Sequence, residues 1–261
     1  MKLALRLSLL VITTGCAWLF IQHPWWFPAG ASSRAAALDR EFKTAFLILG
    51  TLFFAGQLLL VLFLGRAPRQ GTPSRGDWRL EIAWTLGLTA IFFWFNFSGG
   101  RLWSEMTTTE KDTGAVQVEI TGTQFQWYFR YPGVDGVFGR VDAQKFARPD
   151  EGNPLGLDPN DPAGKDDFVS PVLVLPAGRP AHLILRAQDV VHSVFIPAMR
   201  FKQDAVPGMD IHAHLTPTAT GTFELACAEL CGLGHYRMQA KVRVLGEEEF
   251  SKWLQSHERE R

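Results

Sequence analysis

Four residues of types that bind soft metals lie close together near the end of the chain. The segment CAELCGLGHYRM holds Cys227, Cys231, His235 and Met238 at intervals of four, four and three residues. Thiolate and thioether sulphurs suit copper, which also accepts imidazole, whereas methionine is a poor ligand for zinc. The segment therefore predicts a copper site, and copper in a rigid protein scaffold is suited to electron transfer.

Three other interpretations of this segment stay open on these residues alone. A disulfide between Cys227 and Cys231 is chemically possible in an oxidising compartment. Zinc is possible by spacing, and Met238 fits a position in a hydrophobic core. Their common weakness is that none of them accounts for all four residues.

The residues around this segment alternate between apolar and polar, which predicts β-strands with one buried face. Strands are expected at 116–120, 125–131, 172–175, 183–187, 193–196, 211–215, 222–227 and 238–244. Short strands separated by Pro and Gly turns predict a β-sandwich or barrel. Cys227 ends one predicted strand and Met238 begins another, so the ligands would lie on a loop that joins two strands.

Residues 99–246 form the predicted domain that contains these strands. This domain also contains one irregular segment. Residues 142–168 are rich in Pro, Gly and Asp and predict a long surface loop or insertion. Residues 247–261 predict a closing helix, because their apolar residues recur at helical spacing and acidic residues occupy the first turn.

The beginning of the chain is apolar enough to enter a membrane. Residues 1–21 predict a signal peptide or signal anchor, with lipidation of Cys16 left open. Residues 22–98 predict a two-helix transmembrane region with spans at about 42–64 and 80–97. The loop between the spans holds four arginines against one aspartate, which predicts a cytoplasmic loop and an extracytoplasmic domain after Ser98.

Charge and composition narrow the classes of function. Residues 1–97 carry nine basic and four acidic side chains, and the remainder carries seventeen and twenty-two. The mildly acidic outer part has no arginine-rich face, so a cationic partner is expected rather than a nucleic acid. His182, His212 and His214 are interpreted as ordinary structural or solvated residues.

A second segment, DVVHSVFIPAMRFKQDAVPG, places His192 just before a predicted strand. Together, D-x-x-H-S and C-x-E-x-C-G-x-x-H-x-x-M resemble the paired motifs of the cytochrome c oxidase subunit II family. The resemblance covers both spans and nearly all of the outer domain. It implies two transmembrane α-helices followed by an all-β cupredoxin-like domain, a Greek-key sandwich or barrel that carries the dinuclear copper centre CuA.

The resemblance also implies a role for each candidate ligand. Cys227 and Cys231 would bridge two copper ions, His192 and Met238 would complete one copper, and His235 with the Glu229 carbonyl would complete the other. The Glu229 carboxylate would help bind a magnesium or manganese ion shared with subunit I. Lys202 and Asp204 match a stretch near that ion, and they also fit a simple surface ion pair.

Two further roles follow from the same resemblance. Trp127 matches one of two family tryptophans between the electron donor and copper, but Phe125 occupies the position of the tryptophan usually assigned to electron uptake. Trp127 is therefore the candidate, and two alternatives stay open: Trp127, Tyr128 and Phe129 share the task, or the alternating aromatics are only core. Tyr128 is expected to be exposed on the strand face opposite Trp127. Glu81 matches a glutamate at the mouth of a proton channel.

The resemblance implies the electron-accepting subunit of a haem–copper respiratory oxidase in a bacterial inner membrane, with the copper domain on the periplasmic side. The expected partners are haem-bearing subunit I, other oxidase subunits and a separate cytochrome c. The alternatives are a copper-free quinol oxidase subunit II, against which the intact ligand set argues, and a membrane-tethered copper carrier that acts alone. The identity of the donor and the haem type stay open.

Overall fold

The computed structural model describes residues 2–22, 27–63, 76–107, 114–133, 135–146 and 152–259. The chain divides into two compact units. A helical unit comprises Met1–Phe27 and Ala37–Thr108, and a sheet unit comprises Pro28–Ala36 and Thr109–Arg261.

Three helices make up the helical unit: α1 at Lys2–Gln22, α2 at Ala35–Phe63 and α3 at Trp78–Thr107. Each is long and apolar enough to cross a membrane, so the described residues contain three such helices rather than the two predicted spans. The segment predicted as a signal peptide or anchor forms α1. Both α2 and α3 extend beyond the predicted spans, because their polar ends continue the helix past the apolar stretch. The arginine-rich loop at 64–75 lies outside the described residues.

The described residues of the sheet unit form ten strands and one α-helix. They are β1 Val116–Thr123, β2 Gln126–Tyr131, β3 Phe168–Ser170, β4 Leu173–Pro176, β5 Ala181–Ala187, β6 His192–Ile196, β7 Phe201–Ala205, β8 Ile211–Leu215, β9 Gly221–Cys227, β10 Gln239–Leu245 and α4 Glu247–Arg259. The first sheet has the order β3-β2-β1-β5-β8 and the second has the order β4-β10-β9-β6-β7. This arrangement confirms the predicted all-β class, and α4 confirms the predicted closing helix.

The core of the sheet unit is built from the inward residues of both sheets. Alternate positions on β1 and β5, including Val118, Ile120 and Leu183, are fully buried, as are Leu225 on β9 and Val242 on β10. These side chains belong to one continuous apolar cluster. Burial of each such side chain contributes roughly 1.5–3 kcal/mol, which makes this cluster a firm support for the loops at its ends.

The outer face of the first sheet is also buried at β1 and β2, which corrects the prediction that these strands have one buried face. Arg130 on β2 is fully buried, and its guanidinium pairs with the Asp167 carboxylate and donates a hydrogen bond of 2.6 Å to the carbonyl of Gly139. Leu155 is buried as well. The described parts of the predicted insertion 142–168 therefore include residues that are not solvated surface. Tyr128, expected to be exposed, is only 7% exposed.

A short segment between α1 and α2 belongs to the sheet unit. The amide of Ala31 donates to the carbonyl of Ala198 at 2.7 Å, and the hydroxyl of Ser32 donates to the carbonyl of Met199 at 2.7 Å. Residues 28–36 had been assigned to the transmembrane region by sequence. Their backbone hydrogen bonds explain why they group with the sheet unit instead.

Candidate metal centre

The candidate ligands come from neighbouring strands of the second sheet and from the loop that joins two of them. His192 begins β6, Cys227 ends β9, and Val194 pairs with Cys227 across the two antiparallel strands. The loop from 228 to 238 then returns the chain to β10. Its last residue is tied back to β9, because the amide of Cys227 donates to the carbonyl of Met238 at 3.0 Å. Strand pairing thus brings together residues that lie 35 positions apart in the sequence.

The donor atoms of these residues converge around the two cysteine sulphurs, whose Sγ atoms are 3.8 Å apart. Cys227 Sγ lies 3.9 Å from Nδ1 of His192 and 3.2 Å from the carbonyl oxygen of Glu229. Cys231 Sγ lies 3.6 Å from Nδ1 of His235 and 3.7 Å from Sδ of Met238. Each sulphur therefore has one imidazole and one further donor beside it.

The two thiols are free, so the alternative of a disulfide is not what this structure contains. Their separation of 3.8 Å is far longer than the roughly 2.05 Å of an S–S bond. His192, Cys227 and Cys231 form a group whose ligand atoms all lie within 4.8 Å of one another, close enough to hold a metal ion. The soft character of the donors fits copper.

Burial makes a bound cation favourable at this thiol pair. His192 and Met238 are fully buried, and Cys231 is nearly so. Desolvation, strengthened by the neighbouring Cys227, raises the pKa of the Cys231 thiol to about 11. The thiolate is the form that binds metal. A bound soft cation would supply the charge that stabilises it here, and binding would release protons.

A carboxylate orients the buried imidazole. Nε2 of His192 lies 2.7 Å from Oδ1 of Asp189, which leaves Nδ1 facing Cys227. The amides of Gln124 and Val190 also donate to Asp189, each at 2.7 Å. Burial alone would raise the pKa of Asp189, but the hydrogen bonds from His192 and these amides outweigh burial and lower the pKa. A carboxylate partner of this kind fixes the tautomer and the orientation of a metal-binding histidine.

Sequence reasoning missed two residues that support the centre. Asp189 is part of the D-x-x-H-S motif, so its position three residues before His192 was an available signal. Gln124 gave no such signal. Its side-chain amide donates to the carbonyl of Cys231 at 2.5 Å, which ties the β1–β2 connection to the ligand loop.

Two glycines allow the surrounding chain to approach closely. A Cβ on Gly122 would lie 3.0 Å from the ring of His192 and 3.0 Å from the ring of Trp127. A Cβ on Gly234 would lie only 2.4 Å from the ring of Phe125. Phe125 therefore packs against the ligand loop, in the position where the sequence lacks the expected tryptophan.

Trp127 lies in the core beside the centre. It is 2% exposed, and its ring is 5.8 Å from the ring of His192, edge to face. Its indole nitrogen has no hydrogen-bond partner among the described residues. Both predicted readings, a core residue and a residue between donor and copper, are compatible with this position, so the electron-uptake role stays a prediction.

The remaining predicted site residues have no side chain among the described contacts of the two thiols. The carboxylate of Asp204 lies 3.2 Å from Nζ of Lys202, and both side chains are about half exposed, as in an ordinary surface ion pair. Glu229 is exposed although its carbonyl faces Cys227. Glu81 occupies the first turn of α3 in the helical unit, where it is exposed.

The family was tested by comparison with known proteins. The family model described as cytochrome c oxidase subunit II, periplasmic domain, matches residues 116–245. The alternative cytochrome c oxidase subunit 2 of Bradyrhizobium diazoefficiens is 36% identical over 263 residues, which cover 97% of this chain and 91% of that protein. The chain belongs to the cytochrome c oxidase subunit II family.

Other relatives are similar to smaller parts of the chain. The cytochrome c oxidase subunit 2 of Cereibacter sphaeroides is 29% identical over 218 residues, covering 78% of this chain and 70% of that protein. Among solved structures, the periplasmic domain of subunit II of cytochrome oxidase of Bradyrhizobium japonicum matches with 26% identity and a TM-score of 0.41. That match covers 57% of this chain and 96% of the solved chain.

Membership of the subunit II family confirms the predicted class of function. The chain is a subunit of a haem–copper oxidoreductase, and the family implies copper in the sheet unit. Its apolar helices and its periplasmic-domain family make it a membrane protein with an outer domain. The copper-free alternative is not favoured, because both thiols and their neighbouring donors are present.

Proposed function

We propose that this subunit II accepts electrons from a separate cytochrome c at a dinuclear CuA centre and passes them to haem in subunit I. The transfer would support reduction of oxygen to water and proton pumping in a bacterial inner membrane, with the sheet unit on the periplasmic side. The observation that carries the proposal is the convergence of two free thiols, two imidazoles, a thioether and a carbonyl within 4 Å of a cysteine sulphur.

The residues have distinct tasks in this proposal. Cys227 and Cys231 would bridge two copper ions, His192 and Met238 would complete one, and His235 with the Glu229 carbonyl would complete the other. When bound, the copper pair supplies a one-electron carrier whose charge is shared between two ions.

The protein contributes a dry and rigid setting for this carrier. His192, Cys231 and Met238 are shielded from water. His192 is anchored by the pairing of β6 with β7, and the carbonyl of Met238 accepts a hydrogen bond from the amide of Cys227 at the end of β9. Asp189 holds the His192 ring in one orientation. Ligands that move little when the charge changes keep the reorganisation energy small, which favours rapid electron transfer.

Glu229 would serve two metals with two different groups. Its carbonyl oxygen lies 3.2 Å from Cys227 Sγ, whereas its side chain is exposed and available to a hard cation. Carboxylate oxygens suit magnesium and manganese. We propose that this carboxylate helps bind such an ion together with subunit I.

The ligand loop itself offers a surface for a partner. Leu230, Leu233 and Tyr236 are exposed next to the buried ligands, and Leu233 is 98% exposed. Exposed apolar residues in one cluster mark sites of protein interaction. We assign this cluster to docking at the copper centre, where the excess of acidic residues after Phe97 favours a cationic cytochrome c.

Electron transfer into the copper-loaded full chain tests the proposal. Reduced cytochrome c is mixed with the wild type, with Cys227→Ser and with Cys16→Ser, which removes the exposed cysteine of α1 as a matched control. Rapid oxidation of cytochrome c by the wild type and Cys16→Ser, but not by Cys227→Ser, is expected. A wild type that takes electrons from a quinol and not from cytochrome c would contradict the proposal.

A further inference from the structure

Three histidines lie side by side on the outer face of the first sheet. The antiparallel register of β5 and β8 sets His182 opposite His214, and His212 lies two residues before His214 on the same face. The strand neighbours Ala181, Leu183 and Leu215 are buried in the core. Because successive side chains of a strand point to opposite faces, the three imidazoles are directed outward.

His182 is the central member of this histidine cluster. Its ring stacks on that of His214 with centroids 4.9 Å apart and planes 6° from parallel. On its other side the ring of His212 lies 5.0 Å away at 24°. Nε2 of His182 and Nδ1 of His212 are 2.9 Å apart. Two imidazole nitrogens from different strands thus already point at one small volume.

We infer that His182 and His212 chelate a late first-row divalent ion, Zn²⁺ or Cu²⁺, whose remaining ligands are water. Imidazole nitrogens bind such ions at about 2.0–2.1 Å, so two ligands in adjacent coordination positions lie roughly 2.9–3.4 Å apart. The observed separation of 2.9 Å is within that range. The cluster is on the first sheet, whereas the CuA ligands come from the second.

The carboxylates of Asp210 and Glu119 near the histidine cluster already pair with an arginine. This pairing favours a nitrogen-ligated ion over calcium or magnesium. Asp210 is engaged by Arg186 at 2.7 Å, and Glu119 is engaged by the same guanidinium at 2.9 Å. The donors that the described residues bring together here are imidazoles, which select zinc and copper over ions that need oxygen ligands.

Binding requires a change of tautomer and a rotation of the two rings. The ion takes the lone pairs of His182 Nε2 and His212 Nδ1, so the proton between these atoms moves to the outer nitrogen of the ring that donates it. Each neutral imidazole then keeps one proton, on His182 Nδ1 and on His212 Nε2. The bound ion keeps its two positive charges, and water fills its other coordination positions.

Zinc titration of the full chain in detergent tests this site. The CuA ligands are first loaded with copper so that zinc cannot occupy them, copper bound at exposed sites is removed with a chelator, and zinc binding is then followed by calorimetry. The variants are His182→Gln and His212→Gln. The matched control is Gln117→Ala, because Gln117 pairs with His182 on β1, is exposed and carries no imidazole.

We expect one zinc ion per wild-type chain and per Gln117→Ala chain, and an affinity loss of roughly tenfold or more in each histidine variant. An unchanged copper spectrum in each variant shows that the domain is folded. If His182→Gln does not fold, the zinc titration of His212→Gln tests the inference alone, because His212 lies on the exposed edge strand β8. Absence of zinc binding to the wild type, or equal binding by the histidine variants, would overturn the inference.

Discussion

His192 faces Cys227 with one ring nitrogen and Asp189 with the other. Nδ1 lies 3.9 Å from the thiol sulphur and Nε2 lies 2.7 Å from the carboxylate. The carboxylate is itself held by the amides of Gln124 and Val190. Asp189 thereby links the β1–β2 connection to the orientation of a ligand on β6.

Replacement of this carboxylate tests whether it positions the ligand. In Asp189→Asn the amide is a weaker acceptor for the His192 Nε2–H, so the ring gives less electron density to the metal. We expect copper affinity to fall by about 10–100-fold and the reduction potential to rise. Copper titration and redox titration measure both. Asp210→Asn, which removes an exposed carboxylate beside Arg186, is the control. Identical values in both variants would show that Asp189 is only structural.

Trp127 offers a second test, because the predicted electron path and the core packing give different outcomes. We expect Trp127→Phe to slow electron transfer from reduced cytochrome c at saturating donor, with copper content unchanged. The loss of packing should cost about 1 kcal/mol of unfolding free energy.

Stopped-flow rates and thermal unfolding separate the two roles of Trp127. Trp253→Phe is the matched control, since this indole packs on Tyr131 and Phe168 in the same unit. A wild-type rate with a lower melting temperature in Trp127→Phe would assign Trp127 to the core alone. Tyr128 would then not be an exposed substitute, because it is buried.

Glu81 is expected to act in proton uptake and not at copper. Glu81→Gln should slow turnover of the assembled oxidase while the copper spectrum stays that of the wild type. Asp77→Asn is the control at the start of the same helix, because asparagine also caps a helix and preserves the contact with the amide of Arg79. Oxygen consumption measures turnover. Full activity of Glu81→Gln would reduce Glu81 to an interfacial residue.

The buried Arg130 network should hold the insertion on the first sheet. Arg130→Met leaves Glu119 and Asp167 buried without this partner, which should cost about 3–5 kcal/mol of unfolding free energy. Arg179→Met is the control, because its pair with Glu247 is exposed and worth less than about 1 kcal/mol. Equal destabilisation in the two variants would contradict this role.

The same network predicts that the loss of unfolding free energy in Arg130→Met depends on pH. Burial raises the pKa of Glu119 and of Asp167, even though Arg130 opposes the shift. A carboxyl whose pKa is raised by folding favours the folded state when protonated, and that advantage is lost as the pH rises. The deficit of Arg130→Met should therefore shrink as the pH falls through the raised pKa values towards the ordinary values of 4.5 and 3.8, which unfolding curves at pH 7 and about pH 4 would show.

The sequence predicts the strands that carry the centre, because Cys227 and Met238 border alternating patterns that the fold retains as β9 and β10. It misses β3 and β7, which are edge strands paired on one side only. An edge strand such as FKQDA buries too little to show an alternating pattern. The burial of the outer face at β1 and β2 was also not predicted. It depends on the ion pair of Arg130 with Asp167, and these residues lie 37 positions apart in the sequence.

The candidate ligands could be named from their types and spacing. Of their two supports, Asp189 had a signal in the D-x-x-H-S motif, whereas Gln124 had none, because its hydrogen bonds to Asp189 and to the Cys231 carbonyl exist only in the fold. The histidine cluster could likewise be predicted only in part from the sequence. His212 and His214 share a face by simple alternation, whereas His182 joins them through the register of β5 with β8.

The paramagnetic resonance spectrum of the copper-loaded full chain tests the central claim most directly. One unpaired electron shared by two copper nuclei through the Cys227 and Cys231 thiolates gives a seven-line hyperfine pattern. We expect two coppers per chain and this pattern in the wild type, its loss in Cys227→Ser and Cys231→Ser, and retained copper with a shifted potential in Met238→Leu. A four-line spectrum from one copper per chain would contradict the dinuclear centre.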